Sequence, residues 1–152
     1  MTTPSERIWA RPEDDDGGRG VRERLTAAPR RPETLASAAH RLAGGVPLRD
    51  AVADFLDDLR WARGPSDVEA RIAEEPDRVD PHADACLAAL AEHVASTNRL
   101  RTPGWATVED RFLDHFWWPS RTRALRAVAI VESPAAFRRR GIFIGGTTLQ
   151  RV

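Results

Sequence analysis

The large apolar side chains of this 152-residue chain are concentrated in its last third. The stretch from Trp105 to Val152 holds three of the five tryptophans and four of the five phenylalanines. Aromatic side chains bury more apolar area than most others, so this stretch must supply much of the core. We therefore expect both the core and any partner surface to lie in the last third of the chain.

The composition is that of one globular domain, with 41% hydrophobic and 30% charged residues. The basic side chains are all arginines, and 23 of them balance 23 acids, so no overall field attracts nucleic acid or an anionic membrane. The single Cys86 cannot form an internal disulfide, and the first residues lack the apolar core of a signal peptide. No apolar run approaches the roughly 20 residues that span a bilayer. We predict a cytoplasmic protein without a membrane segment.

Residues 1–32 offer little surface that can be buried. The sizeable apolar side chains among them are Ile8, Trp9, Val21 and Leu25. Burial of so few groups does not offset an ordering entropy of about 1–2 kcal/mol per residue. We predict a disordered arm over 1–32 and a single helical domain over 33–152. Trp9 is either a solvated residue of that arm or part of a short element that folds on a partner.

Hydrophobic periodicity predicts a series of short helices after the arm. A first helix runs from Leu35 to a stop at Gly44. The clearest pattern begins at Leu48, where apolar residues recur at i, i+4, i+7, i+8 and i+11, and it ends at Gly64. Ser66 has a glutamate three residues later, the spacing of a capping box, which predicts that a third helix begins there.

The second half of the chain is also predicted to be helical. Asp80 followed by a proline predicts the start of a fourth helix that ends near Asn98. A fifth helix, ended by Pro119, is predicted from apolar residues at helical spacing. These residues are Val108, Phe112, Leu113, Phe116 and Trp117. A sixth helix, capped by Ser120, is predicted to turn three apolar residues inward: Leu125, Val128 and Ala129.

The chain is predicted to end in a short helical turn and an extended tail. Ser133-Pro134 begins the turn, and Gly141 ends it. Residues 142–144 have the composition of a strand, but no other strand is predicted to pair with them. They are expected to pack as an extended tail or to pair with another chain. The fold class is therefore mainly α, a small bundle of about six short helices with a disordered N-terminal arm and a short extended C-terminal segment.

A metal site or a thiol nucleophile is not favoured by the residue spacing. His82 and Cys86 lie four residues apart on one helix, a spacing that suits two metal ligands. His93 shares their face but lies roughly 16 Å further along the axis, too far to bind the same ion. Two ligands alone rarely hold zinc, so we predict no metal site and no cofactor. Cys86 is predicted to be a small buried thiol.

Other catalytic signatures are also missing from the sequence. Asp54, Asp57 and Asp58 share part of one helical face and could be paired carboxylates or a Mg²⁺ site. Because they are interleaved with arginines opposite an apolar stripe, a solvated face is the better interpretation. The glycine pairs match neither a phosphate-binding loop nor a dinucleotide fingerprint. We predict that the chain is not an enzyme.

The second and third predicted helices form a pair over 48–75 with the length of a helix-turn-helix. A recognition helix brings arginine, asparagine or glutamine to base edges. The third helix would instead present four acids, which phosphates repel: Asp67, Glu69, Glu74 and Glu75. A DNA-binding regulator that uses 48–75 is therefore kept only as the alternative function.

A resemblance to other proteins covers about residues 48–152 and is strongest after Trp105. The segment 132–144 reads Glu-Ser-Pro-Ala-Ala-Phe-Arg-Arg-Arg-Gly-Ile-Phe-Ile, and Trp105 and the aromatic residues of 112–117 precede it. It resembles a group of small uncharacterised actinobacterial proteins that are encoded beside a nucleotidyltransferase-like protein, in an arrangement like a toxin–antitoxin pair. The resemblance implies an antitoxin-like role, in which the chain sequesters that partner enzyme.

We therefore predict a non-enzymatic protein-interaction module, because tryptophan and arginine dominate interface hot spots. The arginine triplet 138–140 either anchors an acidic partner or only offsets the dipole at a helix end. The aromatic residues at helical spacing are either interface or core. The predicted partner-binding residues are Trp105, Trp118, Phe137, Arg138, Arg139, Arg140, Ile142, Phe143 and Ile144.

Overall fold

The computed structural model describes residues 31–120 and 122–150. The predicted disordered arm lies outside the described residues, except for its last two positions. Within the described residues the fold is mainly helical, with six α-helices and no β-strand, as predicted. None of the helices in this part of the chain combines the length and the apolar character that crossing a lipid bilayer requires.

The six helices are α1 (Leu35–Ala43), α2 (Leu48–Leu59), α3 (Pro65–Ala73), α4 (Pro81–Thr97), α5 (Arg123–Glu132) and α6 (Ala135–Arg138). Three short 3-10 turns accompany them: Gly104–Thr107, Glu109–Arg111 and Gly146–Leu149. The first two 3-10 turns lie in the long connection between α4 and α5. The third follows the extended tail.

The helix α4 is the one around which the others pack. It is rich in alanine, and every residue from Ala83 to Ala91 is buried. A helix that is apolar nearly all round belongs in the interior, and alanine side chains let its neighbours approach closely. Helices α1, α3 and α6 and the 3-10 turns of 104–111 all contact it. Its start is as predicted, because Oδ1 of Asp80 accepts a hydrogen bond from the N–H of Ala83 at 2.9 Å.

Helices α1 and α2 begin where the sequence predicted. Thr34 and Ser37 exchange hydrogen bonds in a capping box at the start of α1. Along α2 the apolar stripe is buried as predicted, with Phe55 and Leu56 fully inside. The local sequence signals are therefore sufficient for this part of the fold.

The start of α3 differs from the prediction. The helix begins at Pro65, with Gly64 rather than Ser66 before its first turn. Proline suits this first position because its φ is already helical and its missing N–H would have had no partner. Asp67 closes the turn, since its Oδ2 accepts from the N–H of Arg63 at 3.0 Å. The predicted capping box at Ser66 is therefore wrong.

The predicted fifth helix is also wrong. Residues 104–111 form two 3-10 turns, and residues 112–120 follow an irregular path. The tertiary contacts of Trp105 override the helical periodicity, because its indole Nε1 donates to the carbonyl of Ile72 at 3.0 Å from within the core. Val108 and Phe116, which were predicted to face inward, are exposed.

Residues 142–144 were predicted to have no partner strand within this chain. In the structure their backbone instead pairs with the segment 113–117. The N–H of Trp117 donates to the carbonyl of Gly141 at 2.8 Å, and the N–H of Phe143 donates to the carbonyl of Trp117 at 2.9 Å. Ser133 adds a link, because its buried hydroxyl donates to the carbonyl of Ile142 at 3.1 Å. The tail therefore completes its hydrogen bonds within the domain, in a parallel bridge.

Arg140 is fully buried and joins three parts of the fold. Its guanidinium pairs with the Glu92 carboxylate of α4 and donates to the carbonyls of Ala136 and Ala106, the latter at 2.5 Å. The same group lies 4.5 Å from the ring centroid of Phe112. The last arginine of the triplet is therefore a core residue rather than an anchor for a partner.

Arg111 forms a second buried guanidinium site at the other end of the 3-10 turns. Its Nη2 donates to the carbonyl of Pro76 at 2.8 Å and to the carboxylate of Glu75 at 3.1 Å. Its guanidinium lies over the Trp105 ring, 5.0 Å from the centroid. Hydrogen bonds of this kind to charged donors are stronger than neutral ones, so the two arginines fix the irregular connection against the helices.

We expect Arg140→Met to lower the free energy of unfolding by about 3 kcal/mol, measured by urea denaturation followed by circular dichroism. The variant removes one of the two arginines that pair with Glu92, leaving Arg139 at 3.0 Å, and it takes the donor from the carbonyls of Ala136 and Ala106. Arg138→Met is the matched control, because Arg138 is exposed, and it should change that free energy by less than about 0.5 kcal/mol. Equal effects of the two substitutions would contradict the role of Arg140.

Candidate functional site

The helix α5 exposes apolar side chains that the sequence had predicted to face inward. Leu125 is 52% exposed, and Val128 is 44% exposed. Of the ten residues of α5, all of which the structure describes, only Ala129 is buried. Nor does Ser120 cap the helix, which starts after Thr122 without a side-chain hydrogen bond. The inward packing and the Ser120 cap predicted for this helix are both wrong.

The exposed apolar residues of α5 form a row. Leu125, Val128 and Val131 follow at spacings of three, which places them along one side of the helix. Val131 is 78% exposed, and Ile130 adds further apolar surface. We call Leu125, Val128 and Val131 the α5 row. A monomer seldom leaves so many large aliphatic groups in water, and such a patch is typical of an interaction site.

The charges on α5 are mainly basic. Arg123 and Arg126 are exposed, and Glu132 is the one acid of the helix. The Glu132 carboxylate accepts a hydrogen bond from the N–H of Gly146 at 2.8 Å, which partly offsets its charge. The α5 row is therefore accompanied by cations rather than by anions.

An aromatic cluster of Phe116, Trp118 and Phe143 lies against α5. The Trp118 and Phe143 rings are stacked with centroids 5.1 Å apart, and Phe116 meets Phe143 edge to face at 5.5 Å. The guanidinium of Arg126 lies over the Trp118 ring at 5.5 Å, which joins the cluster to α5. Phe116 is 69% exposed, so the cluster extends the apolar surface.

The residues that the sequence predicted to bind a partner divide into three groups in the structure. Those that are buried are Trp105, Phe137, Arg140, Ile142 and Ile144. Trp118 and Phe143 are half-buried in the aromatic cluster, and Arg138 and Arg139 are exposed. Burial removes the first group from any partner surface of this fold. Leu125 and Val128 were assigned to the core by their helical spacing, which does not distinguish core from interface.

A second candidate site lies where the segment 113–117 meets the start of α4. The Nε2 atoms of His82 and His115 are 3.0 Å apart. The Nδ1 of His115 lies 2.7 Å from Oδ1 of Asp114, and this hydrogen bond holds the pKa of the Asp114 carboxyl below its usual range. The ring of His82 stacks on Trp117, with centroids 4.4 Å apart. Sequence reasoning missed this pair because 33 residues separate the two histidines.

Gly141 permits the close approach that places His115. Its φ is 76°, a conformation that side chains disfavour, and a Cβ atom on it would lie 2.7 Å from the carbonyl oxygen of His115. The glycine that ends the helical turn therefore also lets the loop of His115 pass next to the tail.

A pocket of about 290 Å³ opens beside His82. Its wall is mainly apolar and includes Leu42, Val46, Leu48, Val79 and Trp117. Asp80 and His82 add polar groups at its edge. Its volume is at the lower limit of small-molecule sites, and its polar groups are few.

The ligand pair that the sequence suggested does not converge on a metal. Cys86 is buried, and desolvation raises the pKa of its thiol to about 12. His93 is half-buried, and desolvation lowers its pKa. Within the described ranges, no group of three or more histidine, cysteine, aspartate or glutamate side chains is arranged to hold a metal ion.

The acidic face of α2 holds ion pairs. Oδ2 of Asp54 accepts from Arg41 at 2.7 Å, and the Asp58 carboxylate pairs with the buried Arg71. Arg71 also bonds Asp67, at 3.3 Å. The one arginine of α3 is therefore occupied inside the fold, and the exposed surface of that helix is left acidic.

We expect Gly141→Ala to destabilise the protein more than Gly45→Ala does. Gly45 also has a positive φ, 97°, but a Cβ atom there meets open space. Gly45→Ala should therefore lower the free energy of unfolding by the backbone strain alone, about 1–3 kcal/mol. Gly141→Ala should lower it by at least about 1 kcal/mol more, because the new Cβ atom also meets the carbonyl of His115. Thermal and urea unfolding measure both. Equal losses would show that the contact with His115 is unimportant.

The Cys86 thiol is expected to be inert in the folded protein. Its raised pKa keeps it protonated at pH 8, where an exposed cysteine is partly thiolate. A chromogenic disulfide reagent should react at least about a hundredfold more slowly with the native chain than with the chain in guanidinium. Rapid stoichiometric reaction of the native protein would contradict this burial.

Comparisons with known proteins return no relative of this chain. No family model matches the sequence, no curated protein matches it, and no solved structure matches it. What the chain does is therefore inferred below from the α5 row and from the geometry around His82 and His115.

Proposed function

We propose that this chain is a non-enzymatic protein-interaction module that binds a partner protein through α5. The α5 row carries the proposal, because it is a helix face of large aliphatic side chains that its own domain leaves in water. The exposed Phe116 of the aromatic cluster enlarges that face. An amphipathic helix of this kind suits a groove in another protein, with anchors repeated every three or four residues.

The energetics favour binding through this surface. Complete burial of a leucine or valine side chain contributes about 1.5–3 kcal/mol, and the α5 row is about half exposed or more. Its three side chains and Phe116 together offer several kcal/mol that the isolated chain does not use. Two contacts tie α5 to the domain before a partner arrives, namely the hydrogen bond of Glu132 with the N–H of Gly146 and the contact of Arg126 with the Trp118 ring.

The charges of α5 indicate the chemistry of the partner. Arg123 and Arg126 lie on the helix, and exposed Arg138 follows on α6. Arginine forms bidentate contacts with carboxylates, so an apolar groove with an acidic rim is the complementary surface.

The specific form of the proposal is antitoxin-like neutralisation of a nucleotidyltransferase-like partner. Its support is the resemblance of segment 132–144, which includes the end of α5 and all of α6. A module that covers an enzyme needs no catalytic groups of its own. We place this activity in the cytoplasm, where the lone thiol of Cys86 would remain reduced.

DNA binding through α2 and α3 is less well supported. A recognition helix needs free arginine or amide side chains at base edges. Arg71 of α3 is instead buried between Asp58 and Asp67, and Glu69 is exposed. A helix with this charge distribution is repelled by phosphates.

We expect Val128→Asp to abolish co-purification with the protein encoded by the neighbouring gene, when the two are co-expressed. The substitution places a charge in the middle of the α5 row, where binding would have to desolvate it. Ala70→Asp is the matched control, because Ala70 is exposed on α3, a different helix from the one that carries the row. It should leave co-purification and, if the partner is toxic, protection of host growth unchanged.

Three outcomes would contradict the proposal. One is failure of the unaltered chain to associate with that neighbouring protein. Another is equal binding by the Val128 and Ala70 variants. The third is loss of the circular dichroism signal in the Val128 variant alone, which would show that Val128 supports the fold rather than an interface.

A further inference from the structure

The geometry points to a binding site for one divalent late transition-metal ion, of the Zn²⁺ or Cu²⁺ class, between His82 and His115. This inference is independent of the α5 row. It rests on the 3.0 Å separation of the two Nε2 atoms and on the groups that orient each ring.

The separation of the nitrogens fits two ligands of one ion. Two nitrogens at about 2.0–2.1 Å from a tetrahedral Zn²⁺ lie about 3.4 Å apart. Neighbouring nitrogens in the square arrangement of Cu²⁺ lie about 2.9 Å apart at similar bond lengths. The observed 3.0 Å lies between these two values, so the distance between the nitrogens needs to change by only a few tenths of an ångström, while the rings turn to direct both nitrogens at the ion.

Asp114 fixes the tautomer of His115. Its carboxylate accepts the Nδ1–H of His115 at 2.7 Å, which places the imidazole proton on Nδ1, so the Nε2 of His115 accepts the hydrogen bond from the Nε2–H of His82 at 3.0 Å. A metal ion would replace this hydrogen bond, with the proton of His82 moved to its Nδ1. Ligating histidines in proteins commonly bond a carboxylate in this way, and the bond fixes both the ring orientation and the tautomer.

Trp117 and α4 hold the other ligand. The indole stacks on the His82 ring with an angle of 17° between the planes, and His82 itself is the second residue of α4. Trp117 is fixed in turn by its backbone bonds to Gly141 and Phe143. Both imidazoles are therefore positioned by the fold before any ion arrives, which lowers the entropic cost of binding.

Water is expected to occupy the remaining positions on the ion. Within residues 31–120 and 122–150 no third histidine, cysteine or carboxylate completes a closed site. The side chain of His115 is 52% exposed, so the ion would face solvent. The site is therefore of the open, exchangeable type, and it should reject Mg²⁺, which prefers oxygen ligands.

The test is isothermal titration of the full-length, tag-free chain with Zn²⁺, after treatment with a chelator. We expect one ion per chain, with binding lost in His115→Ala and in His82→Phe. The phenylalanine keeps a ring stacked on Trp117 but removes the ligand nitrogen. Asp114→Asn should weaken Zn²⁺ binding by about 10–100-fold.

His40→Ala and His93→Ala are the matched controls, because His40 is exposed and His93 lies elsewhere on α4. Neither should change the affinity for Zn²⁺. The inference is overturned if the unaltered chain binds no Zn²⁺, or if either control removes as much affinity as His115→Ala. It is also overturned if Mg²⁺ in equal concentration displaces Zn²⁺.

Discussion

The buried guanidinium of Arg140 is the interaction on which the last third of this fold depends. It lies at the end of α6, yet it pairs with Glu92 of α4 and donates to the carbonyl of Ala106, 34 residues earlier. Burying a charge is costly unless ion pairs and hydrogen bonds replace water, and Arg140 has both. The central helix, the irregular connection and the tail are therefore joined by one side chain, with Phe112 covering it.

The buried arginines also determine what two of the large aromatic side chains contact. Arg140 and Arg111 each lie under an aromatic ring, Phe112 and Trp105, so these aromatics are used to cover buried charge. The alanine-rich α4 completes its packing with the 3-10 turns and with α6. Helix α5 follows the irregular connection, and Ala129 is its one buried residue. The core is therefore completed without the α5 row, whose side chains stay exposed.

The backbone pairing of residues 142–144 with the segment 113–117 also positions the two histidines. The bond from Trp117 to the carbonyl of Gly141 brings the segment 113–117 beside the start of α4, which places His115 opposite His82. Gly141 permits this approach because it has no Cβ. The α5 surface and the histidine pair therefore depend on one arrangement of the tail, although they serve different chemistry.

The sequence by itself determined the mainly helical fold and the first four helices. Their signals are local: the helical stop at Gly44 after α1, the apolar period of α2 and the Asp80 cap of α4. Only the tertiary structure decided the path of 104–120, the burial of Arg140, the exposure of Val128 and the meeting of the two histidines. Each of these depends on contacts between residues far apart in the chain, and helical spacing describes a periodic face without saying what that face will meet.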